Sequence, residues 1–90
     1  MKVVWRKRAL NDLGRIHEWL STIEGAEPDR TILRIKAGAD LLAERGDIGR
    51  PGALPATREL SLRTPPYIVV FRTTPTAYEI LAIYHTAQNR

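Results

Sequence analysis

Two apolar runs near the end of the chain restrict its fold more than any other feature. They span about residues 67–73 and 77–85, are rich in β-branched and aromatic residues, and predict strands, with a further strand expected near 57–63. The connections at 64–66 and 74–76 are three residues each and contain proline. Connections this short join antiparallel neighbours, so the sequence predicts an antiparallel meander.

The first half of the chain predicts a short strand and two helices. Val3-Val4-Trp5 is typical of a strand. Apolar residues then recur at helical spacing, which predicts a first helix over about residues 7–23, ended by Gly25. Pro28 suits the first position of a second helix, and Gly46 is placed to cap its end. An antiparallel helical hairpin beside a meander indicates a single α+β domain over the whole chain.

Both faces of the predicted sheet are largely apolar. The alternating sets are Ile68 and Val70 against Tyr67, Val69 and Phe71 in one strand, and Ile80 and Ala82 against Leu81 and Ile83 in the last. The two helices cover one face, and no helix remains for the other. Because a small monomer rarely leaves a large apolar patch open, either strand curvature or another chain must cover the second face.

The positive charge of the chain is concentrated at its beginning. Residues 1–15 carry five cations, Lys2, Arg6, Lys7, Arg8 and Arg15, against Asp12, whereas residues 16–90 carry nine of each sign. This end is either an exposed basic segment that aids solubility or a docking site for an acidic segment of another chain. Arg6-Lys7-Arg8 offers no N-cap residue and places cations at the positive end of a helix dipole. Each such charge costs roughly 0.3–1 kcal/mol. Because an acidic partner would offset this cost, the segment favours a docking site.

Several classes of protein are disfavoured by composition. The chain has no Cys and only two His, far apart in sequence, so we expect no metal site. No apolar stretch approaches the roughly 20 residues that span a bilayer, and no signal-peptide core follows the first residues, so we expect a cytoplasmic protein without a membrane partner.

One group of polar residues at the predicted strands could carry chemistry. Its members are Arg58, Glu59, Arg72, Tyr84 and His85. Metal-free RNA cleavage needs a base, an acid and cations that stabilise the transition state, and Glu59, His85 and the two arginines could serve. Neighbouring Arg and Glu on a strand are more often ion-pair partners, and a strand-end His is more often a surface residue.

Five segments in order resemble the RelE/ParE family of bacterial toxins, and its ParE branch most of all. They are the Ala9…Asp12-Leu13…Ile16 pattern, Gly49-Arg50-Pro51, Arg58-Glu59-Leu60, Pro66-Tyr67-Ile68-Val69-Val70-Phe71-Arg72, and Ile80-Leu81 followed by His85 and Gln88. The resemblance implies an N-terminal strand and a two-helix hairpin packed on a curved, mainly antiparallel sheet of three to four strands. It also implies the toxin of a type II toxin–antitoxin operon, bound in a hetero-oligomer by the acidic or amphipathic C-terminal segment of an antitoxin.

ParE-like toxins poison DNA gyrase, whereas RelE-like relatives cut mRNA on the ribosome. The balanced charge beyond residue 15 and the presence of Ala82, where family members often carry Arg, weaken the nuclease reading, although Ala82 also departs from many ParE sequences. The leading hypothesis is therefore a gyrase inhibitor with no catalytic residue, metal or cofactor. Its expected antitoxin-binding residues are Lys2, Arg6, Lys7, Arg8, Tyr67, Val69 and Phe71.

Two alternatives remain open. One is a ribosome-dependent endoribonuclease that uses Glu59, Arg72 and His85, supported by Arg58 and Tyr84. The other is a degenerate toxin that only binds its antitoxin.

Overall fold

The elements of the fold follow the predicted order, with one addition. The computed structural model describes residues 1–46 and 48–87, so Gln88 of the family pattern lies outside the described residues. The elements are β1 (Lys2–Trp5), α1 (Lys7–Ser21), α2 (Pro28–Arg45), β2 (Arg50–Pro51), β3 (Arg58–Ser61), β4 (Tyr67–Thr73) and β5 (Ala77–His85). The addition is β2, a two-residue strand that the sequence did not predict, and α1 ends two residues before its predicted end.

The strands form one mixed sheet in the order β1-β5-β4-β3-β2. The predicted meander is confirmed, since β3, β4 and β5 pair in antiparallel fashion. β1 pairs in parallel with β5, from Lys2 opposite Ala77 to Trp5 opposite Ile80. The sheet therefore has five strands rather than three to four, because β1 and the short β2 extend its two edges.

Local chemistry accounts for the ends of the helices. Pro28 opens α2, Asp29 lies in its first turn, and Gly46 follows its last residue with a φ of 75° that favours glycine. α1 begins less favourably, because its N-cap residue Arg6 makes no side-chain capping bond and no acid lies in the first turn. Six residues separate the two helices. A contact of 2.7 Å between the His17 ring of α1 and the Asp29 carboxylate of α2 joins them.

Both helices pack on one face of the sheet, which we call the helix-side face. The core there contains Ala9 and Leu13 of α1, Ile35, Ala39 and Leu42 of α2, and Tyr67, Val69, Phe71, Tyr78, Ile80 and Ile83 of the sheet. Burying one large apolar side chain of this kind contributes roughly 1.5–3 kcal/mol. α2 also approaches β3 closely, since a Cβ on Gly38 would lie 2.6 Å from the side chain of Leu62, just beyond that strand.

The opposite side of the sheet, the outer face, has a second and much smaller apolar cluster. Ile68, Val70 and Ala82 are 5%, 8% and 4% exposed, and the partly buried Leu81 and Tyr84 pack against them. These residues are buried within the chain itself. The outer face therefore does not present the open apolar surface that the sequence left unexplained.

The predicted alternation along β5 was wrong at one point. Leu81 is the extra residue of a β-bulge, because Val70 pairs with Ala82 while its neighbour Phe71 pairs with Ile80. The bulge reverses the alternation, so Ile80 and Ile83 share the helix-side core and Ala82 lies on the outer face. Strict alternation had placed Ile80 with Ala82 and opposite Ile83.

Candidate functional site

A buried carboxylate organises the outer face where β1, β4 and β5 meet. Glu79 of β5 pairs with Arg72 of β4 and Val4 of β1, and is only 5% exposed. Arg72 Nε donates to Glu79 Oε1 at 2.6 Å, and Arg6, the residue after β1, donates through Nη2 to Oε2. The hydrogen bonds from Arg72, and then from Arg6, hold the pKa of Glu79 below its usual 4.5.

A second buried carboxylate lies on the same face. Glu59 of β3 is 4% exposed and pairs with Val70 on one side and Arg50 of β2 on the other. Directly paired residues share a face of the sheet, so Glu59 lies beside the outer apolar cluster. Arg50 Nη2 lies 3.5 Å from Glu59 Oε1. In both places, then, a buried glutamate holds an arginine whose side chain remains largely exposed.

Tyr84 completes this face. Its ring packs against the outer apolar cluster, and the guanidinium carbon of Arg8 lies 5.9 Å from the ring centroid. This distance is within the range of a cation–π interaction. Arg8 thus extends from the start of α1 over the outer face.

His85 lies in a different place. It pairs with Tyr67 at the end of β5, and the two rings meet edge to face with centroids 5.2 Å apart. These two residues, Trp19 and Ala87 line a cavity of about 450 Å³ on the helix-side face. Burial raises the pKa of the Tyr67 hydroxyl above its usual 10.0.

The three residues of the predicted nuclease site are not brought together. Arg72 pairs with Glu79, whereas His85 pairs with Tyr67, and Arg72 and Tyr67 are five residues apart along β4. At about 3.4 Å per residue, the Cα atoms of Arg72 and His85 therefore lie roughly 17 Å apart. Glu59 also lies on the outer face, whereas His85 contacts Tyr67 of the helix-side core. A ribose and its adjacent phosphate could not reach all three groups in this arrangement.

The two supporting residues of that site are also separated. Tyr84 is on the outer face, whereas Arg58 pairs with Phe71 of the helix-side core. Arg58 Nη2 donates to the carbonyl of Gly49 at 2.7 Å. Among the described residues, Arg58 Nε is a buried side-chain nitrogen without a hydrogen-bond partner.

The predicted antitoxin-binding residues divide into two groups. Lys2, Arg6, Lys7 and Arg8 are exposed, as a docking surface requires. The other three, Tyr67, Val69 and Phe71, are 3%, 0% and 0% exposed because α1 and α2 cover them. The sequence correctly predicted that these three residues share one face of β4, but it could not show which face the helices cover. We assign the three residues to the core.

Sequence reasoning missed three functional candidates, Glu79, Arg50 and Asp12. A single carboxylate within the apolar run of β5 was the available signal for Glu79, because a charge at such a position must be paired. Asp12 is 6% exposed, and its Oδ2 accepts the backbone N–H of Ile83 at 2.9 Å. Within residues 1–46 and 48–87, no three His, Asp or Glu side chains are grouped to hold a metal ion, and no helix could cross a membrane.

Comparison with known proteins identifies the family. Residues 3–90 match the model of the ParE toxin of the type II toxin–antitoxin system parDE. The chain belongs to this family. It is therefore a type II toxin of the RelE/ParE superfamily, as the resemblance implied, and the family model that it matches is that of the ParE branch.

Individual relatives of this ParE-family toxin agree in length. "Putative toxin Y4kP" of Sinorhizobium fredii is 39% identical over 90 residues, covering 97% of this chain and 90% of that protein. Toxin RelE2 of Caulobacter vibrioides is 36% identical over 87 residues, covering 97% of each chain. The solved chromosomal ParDE toxin–antitoxin system from P. aeruginosa has a chain that superposes with a TM-score of 0.83, at 28% identity, over 94% of this chain and 95% of that one.

Proposed function

We propose that this ParE-family toxin inhibits DNA gyrase without catalysis of its own and is neutralised by a cognate antitoxin. The observation that carries the proposal is the match of residues 3–90 to the ParE model. The likeness to a chain of the P. aeruginosa ParDE system supports an antitoxin partner. Toxin and antitoxin would then form a hetero-oligomer in the bacterial cytoplasm, where gyrase acts.

The geometry of the polar residues supports inhibition by binding. Arg72, Glu79 and Arg6 are bonded to one another, and Glu59 is paired with Arg50. His85 lies on the other side of the sheet from Glu59. General acid–base catalysis requires its acid and base within hydrogen-bond reach of the same substrate, and these groups do not share a site.

A supercoiling assay tests the proposal. Relaxed plasmid, gyrase and ATP are incubated with increasing amounts of the antitoxin-free protein, and purified antitoxin is then added back. We expect loss of supercoiling that the antitoxin reverses. A His85→Ala variant should inhibit equally, because His85 has no catalytic part in this proposal. Full gyrase activity in the presence of protein shown by circular dichroism to be folded would contradict it.

The name of one relative, Toxin RelE2, favours a second candidate function, that of a ribosome-dependent endoribonuclease. Its test is cleavage of ribosome-bound mRNA by the wild type and by an Arg72→Ala/His85→Ala double variant. Cleavage that only the wild type performs would support the nuclease, provided that the variant is folded, since Arg72 also binds Glu79. A folded wild-type protein that neither cleaves mRNA nor inhibits gyrase, but binds its antitoxin, would be a degenerate toxin.

A further inference from the structure

We propose that an apolar loop at the β2 edge of the sheet is the surface with which this toxin binds its target protein, and that Leu54 is the anchor. The loop comprises residues 51–56, at the turn between β2 and β3. The inference rests on the proposed function, because it takes gyrase as the target.

The apolar loop exposes an unbroken run of residues without a polar side chain. Its members are Pro51, Gly52, Ala53, Leu54, Pro55 and Ala56. All except the partly buried Gly52 are exposed, and Leu54, the largest of them, is 69% exposed. An exposed apolar run of this length opposes solubility and is expected only where it serves a function. The loop is therefore a candidate for contact with another molecule.

The conformation of the apolar loop is fixed although its side chains are exposed. The Gly52 N–H donates to the Thr57 carbonyl at 2.8 Å, and the Thr57 hydroxyl donates to the Leu54 carbonyl at 2.6 Å. A Cβ at position 52 would lie 2.3 Å from that hydroxyl, so a larger residue there would displace it. Ala56 has a φ of 63°, which is unfavourable for a residue with a side chain and persists only where the surroundings impose it. These constraints hold Leu54 in solvent.

A leucine held in this way suits an apolar pocket on another protein. Because two prolines and the hydrogen bonds already order the loop, little conformational freedom is lost when a partner binds it. One leucine does not suffice for a bilayer, since even a myristoyl chain gives only marginal membrane binding. The loop also has no aromatic ring on which a nucleobase could stack.

The charges around the apolar loop define the rim of that pocket. Residues 50–63 carry three cations, Arg50, Arg58 and Arg63, against one acid, Glu59, which is buried. The Arg50 side chain is 63% exposed, and Arg63 is exposed as well. The partner surface that fits the loop is therefore an apolar pocket with acidic groups at its rim.

The apolar loop lies away from the N-terminal cations that are expected to bind the antitoxin. β1, which carries Lys2, and β2 are the two opposite edges of the five-stranded sheet. Neighbouring strands are about 4.8 Å apart, so these two edges are separated by roughly 19 Å. An antitoxin bound to the N-terminal cations does not need the loop, and we therefore assign the loop to the target.

Two matched leucine variants test the anchor. Leu54→Ser removes the exposed leucine of the apolar loop, and Leu33→Ser removes a leucine of α2 that is 67% exposed. The half-inhibitory concentration of each full-length variant is measured in the supercoiling assay, and its affinity for immobilised gyrase is measured by surface plasmon resonance. Urea midpoints and affinities for the antitoxin are measured on the same preparations.

We expect Leu54→Ser to require about tenfold to hundredfold more protein for half inhibition, and to bind gyrase more weakly by the same factor, because the burial of one leucine is lost. Leu33→Ser should match the wild type in both measurements. Leu54→Met keeps an apolar side chain of similar volume and should retain most of the inhibition. Urea midpoints and antitoxin affinities should be close to those of the wild type in all three variants.

Equal inhibition by Leu54→Ser and the wild type would overturn the anchor and leave gyrase as the target. A loss of the same size in Leu33→Ser would also overturn it, because the effect would then not belong to the loop.

Growth arrest on expression in bacteria gives a readout that does not depend on gyrase. A wild type that arrests growth but leaves gyrase active removes gyrase as the target. In that case the loop is kept as the target-binding surface if Leu54→Ser fails to arrest growth while Leu33→Ser still does, and it is lost if both variants arrest growth. A wild type with neither effect overturns both proposals.

Discussion

Asp12 shows how one side chain can join the beginning of this protein to its end. The pairing of β1 with β5 stops at Trp5 and Ile80, and farther along β5 the N–H of Ile83 is bound by Asp12 of α1. The other carboxylate oxygen of Asp12 accepts from Arg15. The residue therefore continues the edge of the sheet after β1 has ended, and its charge is paired although it is buried.

Replacing Asp12 by Ala should destabilise the fold. The change leaves the buried N–H of Ile83 without its acceptor, and such a loss costs about 1–3 kcal/mol. Urea denaturation at neutral pH should show a lower midpoint with an unchanged slope. Asp40→Ala, at an exposed position of α2, is the matched control and should change the free energy of unfolding by less than about 0.5 kcal/mol. Equal midpoints for the two variants would show that the Asp12 bond does not contribute.

At the scale of elements, α1 begins against the preference of its own dipole. Arg6, Lys7 and Arg8 lie at the end where backbone N–H groups already concentrate positive charge, and no side chain caps them. Two of these three cations extend to the outer face of the sheet, where Arg6 binds Glu79 and Arg8 covers Tyr84. The unfavourable start of the helix thus accompanies these two contacts on the outer face.

Lys7→Glu should stabilise the protein, because it places an acid in the first turn of α1. The expected gain is about 0.3–1 kcal/mol at low ionic strength, and it should shrink in concentrated salt because the helix dipole is screened. Thermal unfolding at low and high salt measures both effects. Lys36→Glu makes the same change of charge within α2, away from either end, and controls for net charge. A gain of the same size in this control would assign the effect to the charge of the whole chain.

At the scale of the whole molecule, Glu79 connects the N-terminal end of the chain to the last two strands of the sheet. Through Arg6 it binds a residue 73 positions away in sequence, and through Arg72 it ties β4 to β5. Both bonds favour the ionised carboxylate, so the pKa of Glu79 is lower in the folded state than its usual 4.5. Folding is therefore coupled to the ionisation of this residue.

The stability of the protein should depend on pH through Glu79. Its contribution is complete above about pH 4.5 and is lost as the pH falls through the lower pKa of the folded state. Glu79→Gln lacks this contribution at every pH, so the difference in urea midpoint between wild type and variant should be largest at neutral pH and narrow in acid. Glu44→Gln, at an exposed position of α2, should follow the wild type throughout. A difference between wild type and Glu79→Gln that stays constant from pH 7 to below 4.5 would contradict the coupling.

Apart from the two-residue β2, the sequence by itself determined the elements of this protein, their order and the family. Helical spacing, alternation along strands and turn residues are properties of neighbouring positions, so the pattern from β1 through the meander could be predicted directly. The family segments are likewise local, and the match over residues 3–90 confirms the toxin superfamily.

Only the tertiary structure decided which residues meet. Alternation along β4 places Tyr67 and Ile68 on opposite faces, but only the packing of α1 and α2 decides that Tyr67 is the covered residue. The bulge at Leu81 then places Ile83 in the same core as Tyr67. Pairing between distant strands separates His85 from Glu59 and brings Arg72 and the N-terminal Arg6 together on Glu79. Register and the choice of face depend on energies of packing between elements, and no single stretch of sequence contains them.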